Sequence, residues 1–167
     1  RRHGTPLYVH DLVRVEEQAR RLHDALTGAG LEPRVRLALK AQRDPALLAH
    51  LRDRVPFVGM DVCSPGEVAW ALEHGWRPDE ISYTGTNLSD RDLDRIVPSG
   101  VHLNVDLLTQ LDRVGRRAPG TRVGIRVNPG IGASKHGGGE TAYTGERPTK
   151  FGIFEGRTVG SSSRSSK

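Results

Sequence analysis

The chain has one cysteine and no long apolar run, and each shortage excludes a class of protein. Cys63 has no second cysteine with which to form an intrachain disulfide or share a zinc site. No segment approaches the roughly 20 apolar residues that span a bilayer, and the opening residues lack the apolar core of a signal peptide. We therefore expect a cytoplasmic protein with no metal site and no membrane partner.

Lysine is also scarce, although the 167 residues carry 25 basic and 20 acidic side chains and a formal charge of +5. The arginines are scattered beside Asp and Glu in segments such as RVEEQARRLHD, as on solvated helix faces, so we expect no nucleic-acid partner. Lys40 is the single lysine in the first 134 positions. A lone amine in a chain that otherwise uses guanidinium groups is a candidate for amine chemistry.

Five short β-branched or apolar runs recur along the chain. They begin near Val35, Phe57, Ile81, Val101 and Val123. Amphipathic helical segments separate them, and this alternation is typical of βαβ units that build a parallel sheet. Because a closed (β/α)₈ barrel takes about 250 residues, we predict an α/β fold with about five βα units of such a barrel, not closed.

The predicted helices begin at residues whose side chains can cap the first turn. These are Asp11, Ser64 with Glu67, Ser89 with Asp92, and Asp106. Capping explains them without any role in binding, and for Ser64, Ser89 and Asp106 we prefer that interpretation.

Two segments depart from the strand and helix pattern. Residues 128–149 are rich in Gly, Thr and Pro, and a loop of that length is usually functional or disordered. Residues 160–167 have no apolar side chain and should form a disordered tail. We therefore predict one incomplete barrel domain over residues 1–159.

Polar residues follow each predicted strand, at the edge where parallel β/α folds bind ligands. Lys40 follows the run VRLAL. Burial at a strand end would desolvate this lysine and favour the neutral amine, which attacks carbonyl groups. From spacing alone, a surface lysine on an edge strand is an equal alternative.

An ordered series of segments over residues 4–154 resembles the motifs of fold-type III pyridoxal-phosphate-dependent decarboxylases, most like the diaminopimelate decarboxylases. The segments are GTPLYVHDL, VRLALKAQ, GMDVCSPGEVAWALEHG, ISYTGTNLS, GVHLNVD, GIRVNPGIG and PTKFGI. The resemblance implies a TIM barrel of the alanine racemase-like type, pyridoxal 5'-phosphate as cofactor, and a carboxy-lyase acting on an amino acid. The favoured reaction converts meso-diaminopimelate to L-lysine and CO₂ in lysine biosynthesis.

The resemblance also assigns roles to single residues. Lys40 matches the catalytic lysine that binds the cofactor covalently, and Asp61 and Arg126 match residues near the cofactor. Further candidates for the cofactor site are Glu67, Asn128 and Lys150.

The same resemblance implies parts that these residues do not match. They are a histidine that stacks on the cofactor ring, a glycine-rich phosphate loop, and a C-terminal β-domain through which a homodimer shares its active sites. We therefore interpret the chain as truncated and expect it alone to bind the cofactor weakly and release no CO₂. Alternatives are a non-catalytic cofactor-binding regulatory relative and an amino-acid racemase of the same fold, although NPGIG and KFGI favour a decarboxylase.

Overall fold

A computed structural model describes residues 4–128 and 151–154. Its helices are α1 (Leu12–Gly28), α2 (Pro45–Arg54), α3 (Pro65–Glu73), α4 (Asp90–Ile96) and α5 (Leu108–Arg117). Its strands are β1 (Val35–Ala38), β2 (Val58–Val62), β3 (Ile81–Thr84), β4 (His102–Val105), β5 (Val123–Ile125), β6 (Val127–Asn128) and β7 (Ile153–Phe154). Short 3₁₀ helices cover Pro78–Glu80 and Val97–Ser99.

The first five strands form one open parallel sheet in the order β1-β2-β3-β4-β5. A helix lies between each two successive strands of this sheet, from β1 to β5, as in βα units. The predicted fold class is confirmed. Each strand begins within one residue of its predicted start, because β-branched and apolar runs favour extended backbone. The pair β6 and β7 was not predicted, since two-residue strands show no periodicity.

The chain divides into two compact units, which we describe separately. Unit 1 contains Arg1–Val62 and Gly66–Ser82, and unit 2 contains Cys63–Pro65 and Tyr83–Lys167. The segments outside the described residues include most of the Gly-rich stretch, Lys150 and the predicted tail.

In unit 1, helices α1 and α2 pack on β1 and β2. Leu51, Val55 and Val58 form a buried cluster, against which Val15 and Ala19 of α1 pack. Burying a side chain of this size contributes about 1.5–3 kcal/mol. Helix α1 itself has no fully buried residue, so it is held by one partly buried stripe and by its contacts with α2.

In unit 2, ion pairs join α4 to α5 above a core that includes Leu93, Ile96 and Val114. Asp90 Oδ1 lies 2.9 Å from Arg113 Nη2 and 2.7 Å from Arg117 Nη2. The two guanidinium groups lower the pKa of the Asp90 carboxyl through their hydrogen bonds, that of Arg113 first.

Two of the predicted helix caps are confirmed and one is wrong. Asp11 accepts a bond from Arg14 N at 3.0 Å, and Ser89 with Asp92 forms a capping box. Asp106 does not cap α5. The backbone pairing of β4 with the segment after β5 continues to the end of β4, where Arg126 N donates to Val105 O at 2.9 Å. Helix α5 begins later, with Leu107 as its N-cap. Asp106 therefore stays at the strand end, where it is fully buried.

Within residues 4–128 and 151–154, none of the helices combines the length and the apolar character needed to cross a bilayer.

Candidate active site

Lys40 lies in a tight turn directly beyond the carboxyl end of β1. Leu39 N donates to Asp61 O at 2.9 Å, which extends the pairing of β1 with β2 by one residue. Ala41 N then donates to Ala38 O at 3.0 Å and closes the turn. These two bonds fix the backbone on both sides of Lys40, so the amine projects from a defined point at the sheet edge.

Of the two alternatives for Lys40, burial at a strand end and exposure at the surface, the structure shows exposure. All four residues of β1 are only partly buried, and the Lys40 side chain is exposed because the turn lies at the surface of unit 1. The amine is therefore accessible to an incoming carbonyl group. Its desolvation would have to come from what binds over it.

The segment that follows Lys40 is tied down by side chains. Arg43 Nη2 donates to Glu67 Oε1 at 2.8 Å, and Glu67, in the first turn of α3, is only 8% exposed. Gln42 Oε1 accepts from Asp44 N at 2.8 Å, and Asp44 caps α2. Glu67 thus holds the loop after Lys40, and its partner Arg43 was missed because the two lie 24 residues apart.

Asp61 lies in β2 opposite Ala38 in the parallel register, and it is partly buried. Its backbone carbonyl fixes the turn that carries Lys40, as described above. Its carboxylate also acts on the guanidinium of Arg36. Burial and the positive charge of Arg34 lower the pKa of Arg36, whereas the negative charge of Asp61 raises it. Asp61 therefore places a negative charge on the sheet near the strand that leads to Lys40.

In unit 2, a buried carboxylate lies at the end of β4. Asp106 is 0% exposed, and neither carboxylate oxygen has a hydrogen-bond partner among the described residues. The guanidinium of Arg126 is 3.8 Å away, measured from Nη1 to Oδ1. A buried carboxylate without hydrogen bonds costs several kcal/mol. The charge of Arg126 offsets part of that cost, and the Asp106 oxygens are still able to accept an N–H.

Arg126 is held on two sides. Its guanidinium carbon lies 4.6 Å from the centre of the Phe151 ring, a cation–π contact, in addition to the Asp106 contact. Its backbone carbonyl accepts from Ile153 N at 2.7 Å, beside the parallel pairing of β6 with β7. The segment around Phe151 therefore determines where the Arg126 side chain lies.

Asn128 is in β6 and is 1% exposed. Gly152 packs against its backbone: an added Cβ there would lie 2.9 Å from Asn128 N, and its φ of +77° disfavours any other residue. The glycine of KFGI thus lets two strands approach. Lys150, in the same motif, lies outside the described residues.

Gln110 is a buried residue of this region that the sequence reasoning missed. Its Nε2 donates to Gly85 O at 3.2 Å and to Thr86 O at 3.0 Å, and its Oε1 accepts from Asp106 N at 2.8 Å. Helix α5 is thereby bonded to the segment after β3 and to the end of β4. The available signal was its spacing, because Gln110 is four residues before the buried Val114 on one face of α5.

Each unit has side chains whose chemistry suits a part of a pyridoxal phosphate group. The group offers an aldehyde carbon to an amine, anionic oxygens to a guanidinium and a ring nitrogen to a carboxylate. In unit 1, Lys40 supplies an exposed amine. In unit 2, Arg126 supplies a guanidinium, and Asp106 supplies a buried carboxylate whose oxygens accept no hydrogen bond from the described residues. In the same part, no three His, Cys, Asp or Glu side chains are grouped so that they could hold a metal ion.

Comparison with known proteins gives the same family. The sequence model described as "Pyridoxal-dependent decarboxylase, pyridoxal binding domain" matches residues 12–161. Diaminopimelate decarboxylase from Methanothermobacter thermautotrophicus is 42% identical over 154 residues, which are 92% of this chain and 35% of that protein. The Escherichia coli K12 enzyme of the same name is 31% identical over 90% of this chain and 34% of its own length.

Solved structures also match. Helicobacter pylori diaminopimelate decarboxylase complexed with L-lysine superposes with a TM-score of 0.72 at 26% identity, over 93% of this chain and 39% of that one. The chain thus spans about a third of the length of the curated relatives it matches. With a family match over residues 12–161 and Lys40 exposed at a strand end, the chain belongs to the pyridoxal-dependent decarboxylases through their pyridoxal-binding domain, and its cofactor is pyridoxal 5'-phosphate.

Proposed function

We propose that this chain is the cofactor-binding part of a diaminopimelate decarboxylase, which releases CO₂ from meso-diaminopimelate and leaves L-lysine. One observation carries the proposal: the exposed amine of Lys40 ends β1 in a chain that is 42% identical, over 92% of its length, to a diaminopimelate decarboxylase. L-Lysine bound to the related Helicobacter pylori protein is the expected product of that reaction and supports the choice of substrate.

When bound, the cofactor supplies an electron sink for the pair released as CO₂ leaves. Lys40 Nζ would hold the cofactor covalently. Arg126 would donate to one of its anionic oxygens, and Asp106, whose oxygens accept no hydrogen bond in the described chain, would accept an N–H. When not bonded to the cofactor, Lys40 Nζ would hold a proton at the strand end.

Two candidate residues have supporting tasks in this proposal. Glu67 keeps the segment after Lys40 in place through its 2.8 Å bond with Arg43, and the carbonyl of Asp61 fixes the turn before it. Asn128 anchors β6 beside Arg126, and Lys150 remains a candidate from its motif alone. The protein as a whole would be a cytoplasmic homodimer with shared active sites, with an amino acid as its small-molecule substrate and with no nucleic-acid or membrane partner.

A chimera tests this function. Residues 5–159 would replace the aligned segment of the Escherichia coli relative, and CO₂ release from meso-diaminopimelate, ornithine and lysine would be measured. We expect release from diaminopimelate alone, and its loss on Lys40→Ala with the circular-dichroism spectrum unchanged. A folded, cofactor-loaded chimera that decarboxylates ornithine but not diaminopimelate would contradict the proposed substrate, and an active Lys40→Ala chimera would contradict the role of Lys40.

A further inference from the structure

A cavity of about 240 Å³ opens in unit 1 at the amino-terminal ends of β1 and β2, the edge opposite to the one that Lys40 follows. Its wall contains three arginines and two acids: Arg34, Arg36, Arg77, Asp79 and Glu80. The 3₁₀ helix Pro78–Glu80 closes one side. A wall this rich in guanidinium groups raises the question of what balances their charge.

The two acids are already engaged by Arg77. Its Nε lies 3.1 Å from Asp79 Oδ1, and its Nη1 lies 2.7 Å from Glu80 Oε1. These contacts act on both partners, since hydrogen bonding with Arg77 lowers the pKa of Asp79 and the bond with Asp79 raises the pKa of Arg77. Among the described residues, neither Arg34, just before β1, nor Arg36, within it, forms an ion pair with a carboxylate of the wall.

Arg34 and Arg36 lack strong partners. Arg34 Nη1 donates to the backbone carbonyl of Asp79 at a long 3.4 Å. Arg36 Nε is buried and has no hydrogen-bond partner among the described residues. Burial and the nearby charge of Arg34 both lower the pKa of Arg36, and Asp61 opposes them only as the third and smallest cause. The free protein thus holds two neighbouring cations, one of them with an unsatisfied donor.

The register places Arg36 beside a glycine that contacts the 3₁₀ helix. Arg36 pairs with Gly59 across β1 and β2, so no side chain projects from the neighbouring strand position. Gly59 itself packs against the carbonyl of Glu80, which brings the 3₁₀ helix close to β2. The result is a small recess with the guanidinium of Arg36 in its wall.

We propose that this cavity binds a phosphate-type oxyanion, either free phosphate or the phosphate group of a monoester, with Arg36 and Arg34 as the donors. A planar guanidinium matches the oxygens of phosphate in two parallel N–H bonds. One such anion satisfies Arg36 Nε and relieves the repulsion between the two arginines. The cavity volume leaves space for a small organic group beyond the phosphate.

Calorimetric titration of the 167-residue chain with inorganic phosphate, at constant ionic strength set by chloride, tests this proposal. We expect saturable one-site binding that falls at least tenfold in Arg36→Met and in Arg34→Met. Arg14→Met, which removes an exposed arginine of α1 paired with Glu17, should bind as the unaltered chain does.

Three results would overturn the proposal: no heat beyond that of chloride, Arg36→Met binding as tightly as the unaltered chain, or Arg14→Met weakening binding equally. Because Arg34 is exposed, Arg34→Met should fold even if Arg36→Met does not. In that case the phosphate affinity of Arg34→Met alone tests the proposal, and unchanged affinity would overturn it. Titration with glycerol phosphate distinguishes the sources, since tighter binding than phosphate indicates a monoester and equal binding indicates free phosphate.

Discussion

Lys40 and Asp106 illustrate what single residues reveal before a structure is available. Lys40 became a candidate through its isolation among arginines and through its motif, but the sequence left its exposure undecided, because burial depends on chain segments far away in sequence. Asp106 was interpreted as a helix cap, because Asp before a helix usually caps it. Its position as a fully buried carboxylate at the end of β4 follows from the backbone hydrogen bond between Arg126 and Val105, which no local pattern contains.

Asp106→Asn should change stability and cofactor affinity in opposite directions. The change removes a buried charge without changing the side chain's size, so we expect the free energy of unfolding to rise by about 1 kcal/mol or more. Affinity for pyridoxal phosphate, followed by its absorption spectrum, should fall about tenfold because an amide accepts an N–H more weakly than a carboxylate. Asp112→Asn, an exposed change on α5, should alter neither. Unchanged cofactor affinity in Asp106→Asn would remove Asp106 from the proposed site.

At the scale of elements, periodicity predicted the five sheet strands because each is a short apolar run between polar turns. The same reasoning predicted the capping box at Ser89, where all the contacts lie within four residues. It failed for β6 and β7, which are too short for a pattern, and for the Arg43–Glu67 bond, which depends on the pairing of distant segments. Local chemistry was therefore predictable, and contacts set by packing were not.

The junction of β2 with the 3₁₀ helix Pro78–Glu80 should tolerate no side chain at residue 59. A Cβ on Gly59 would overlap the Glu80 carbonyl oxygen, so we expect Gly59→Ala to lower the free energy of urea unfolding by about 1–3 kcal/mol. Gly115→Ala is the matched control, because nothing lies within 4 Å of a Cβ there. In helix α5 that change should stabilise by about 1 kcal/mol. Equal changes in the free energy of unfolding for Gly59→Ala and Gly115→Ala would contradict the close packing of Gly59 against Glu80.

The attachment of α1 to α2 should weaken in acid. Glu16 Oε1 lies 2.7 Å from His50 Nε2, and this bond is the main cause that lowers the pKa of Glu16 below 4.5, against an opposing effect of desolvation. Because the folded-state pKa is the lower one, this stabilisation is complete above about pH 4.5 and is lost as the pH falls through the folded-state value.

Glu16→Gln should therefore reduce the acid dependence of the thermal midpoint between about pH 3 and 5. Glu17→Gln, whose ion pair with Arg14 stays within α1, should leave that dependence as it is. The same slope in Glu16→Gln and in the unaltered chain would show that the pair contributes nothing.

At the scale of the whole molecule, the chain carries the family's fold in an open form. Its five-stranded sheet is not closed, and the residues correspond to about a third of the relatives' length. The overall class could be predicted because strand and helix alternate regularly, and the family because seven motifs keep their order. The division into two compact units within β3 could not be predicted, since it depends on contacts rather than on composition.

The 167-residue chain alone should release no CO₂ from meso-diaminopimelate. The lysine proposed to hold the cofactor is exposed at the sheet edge, so water has access to its amine and pyridoxal phosphate should bind weakly. Radiolabelled CO₂ release from the chain and from the chimera, at equal cofactor saturation, measures the difference. Turnover by the purified chain at a rate similar to that of the chimera would contradict this prediction.

The central claim is that Lys40 binds the cofactor, and peptide mapping after borohydride reduction tests it most directly. The chain would be incubated with pyridoxal phosphate, reduced and digested, and the modified lysine located by mass spectrometry. We predict one dominant modification at Lys40, absent in Lys40→Arg, with only traces at Lys135, Lys150 and Lys167. Equal labelling of all four lysines, or a dominant label elsewhere, would contradict the assignment.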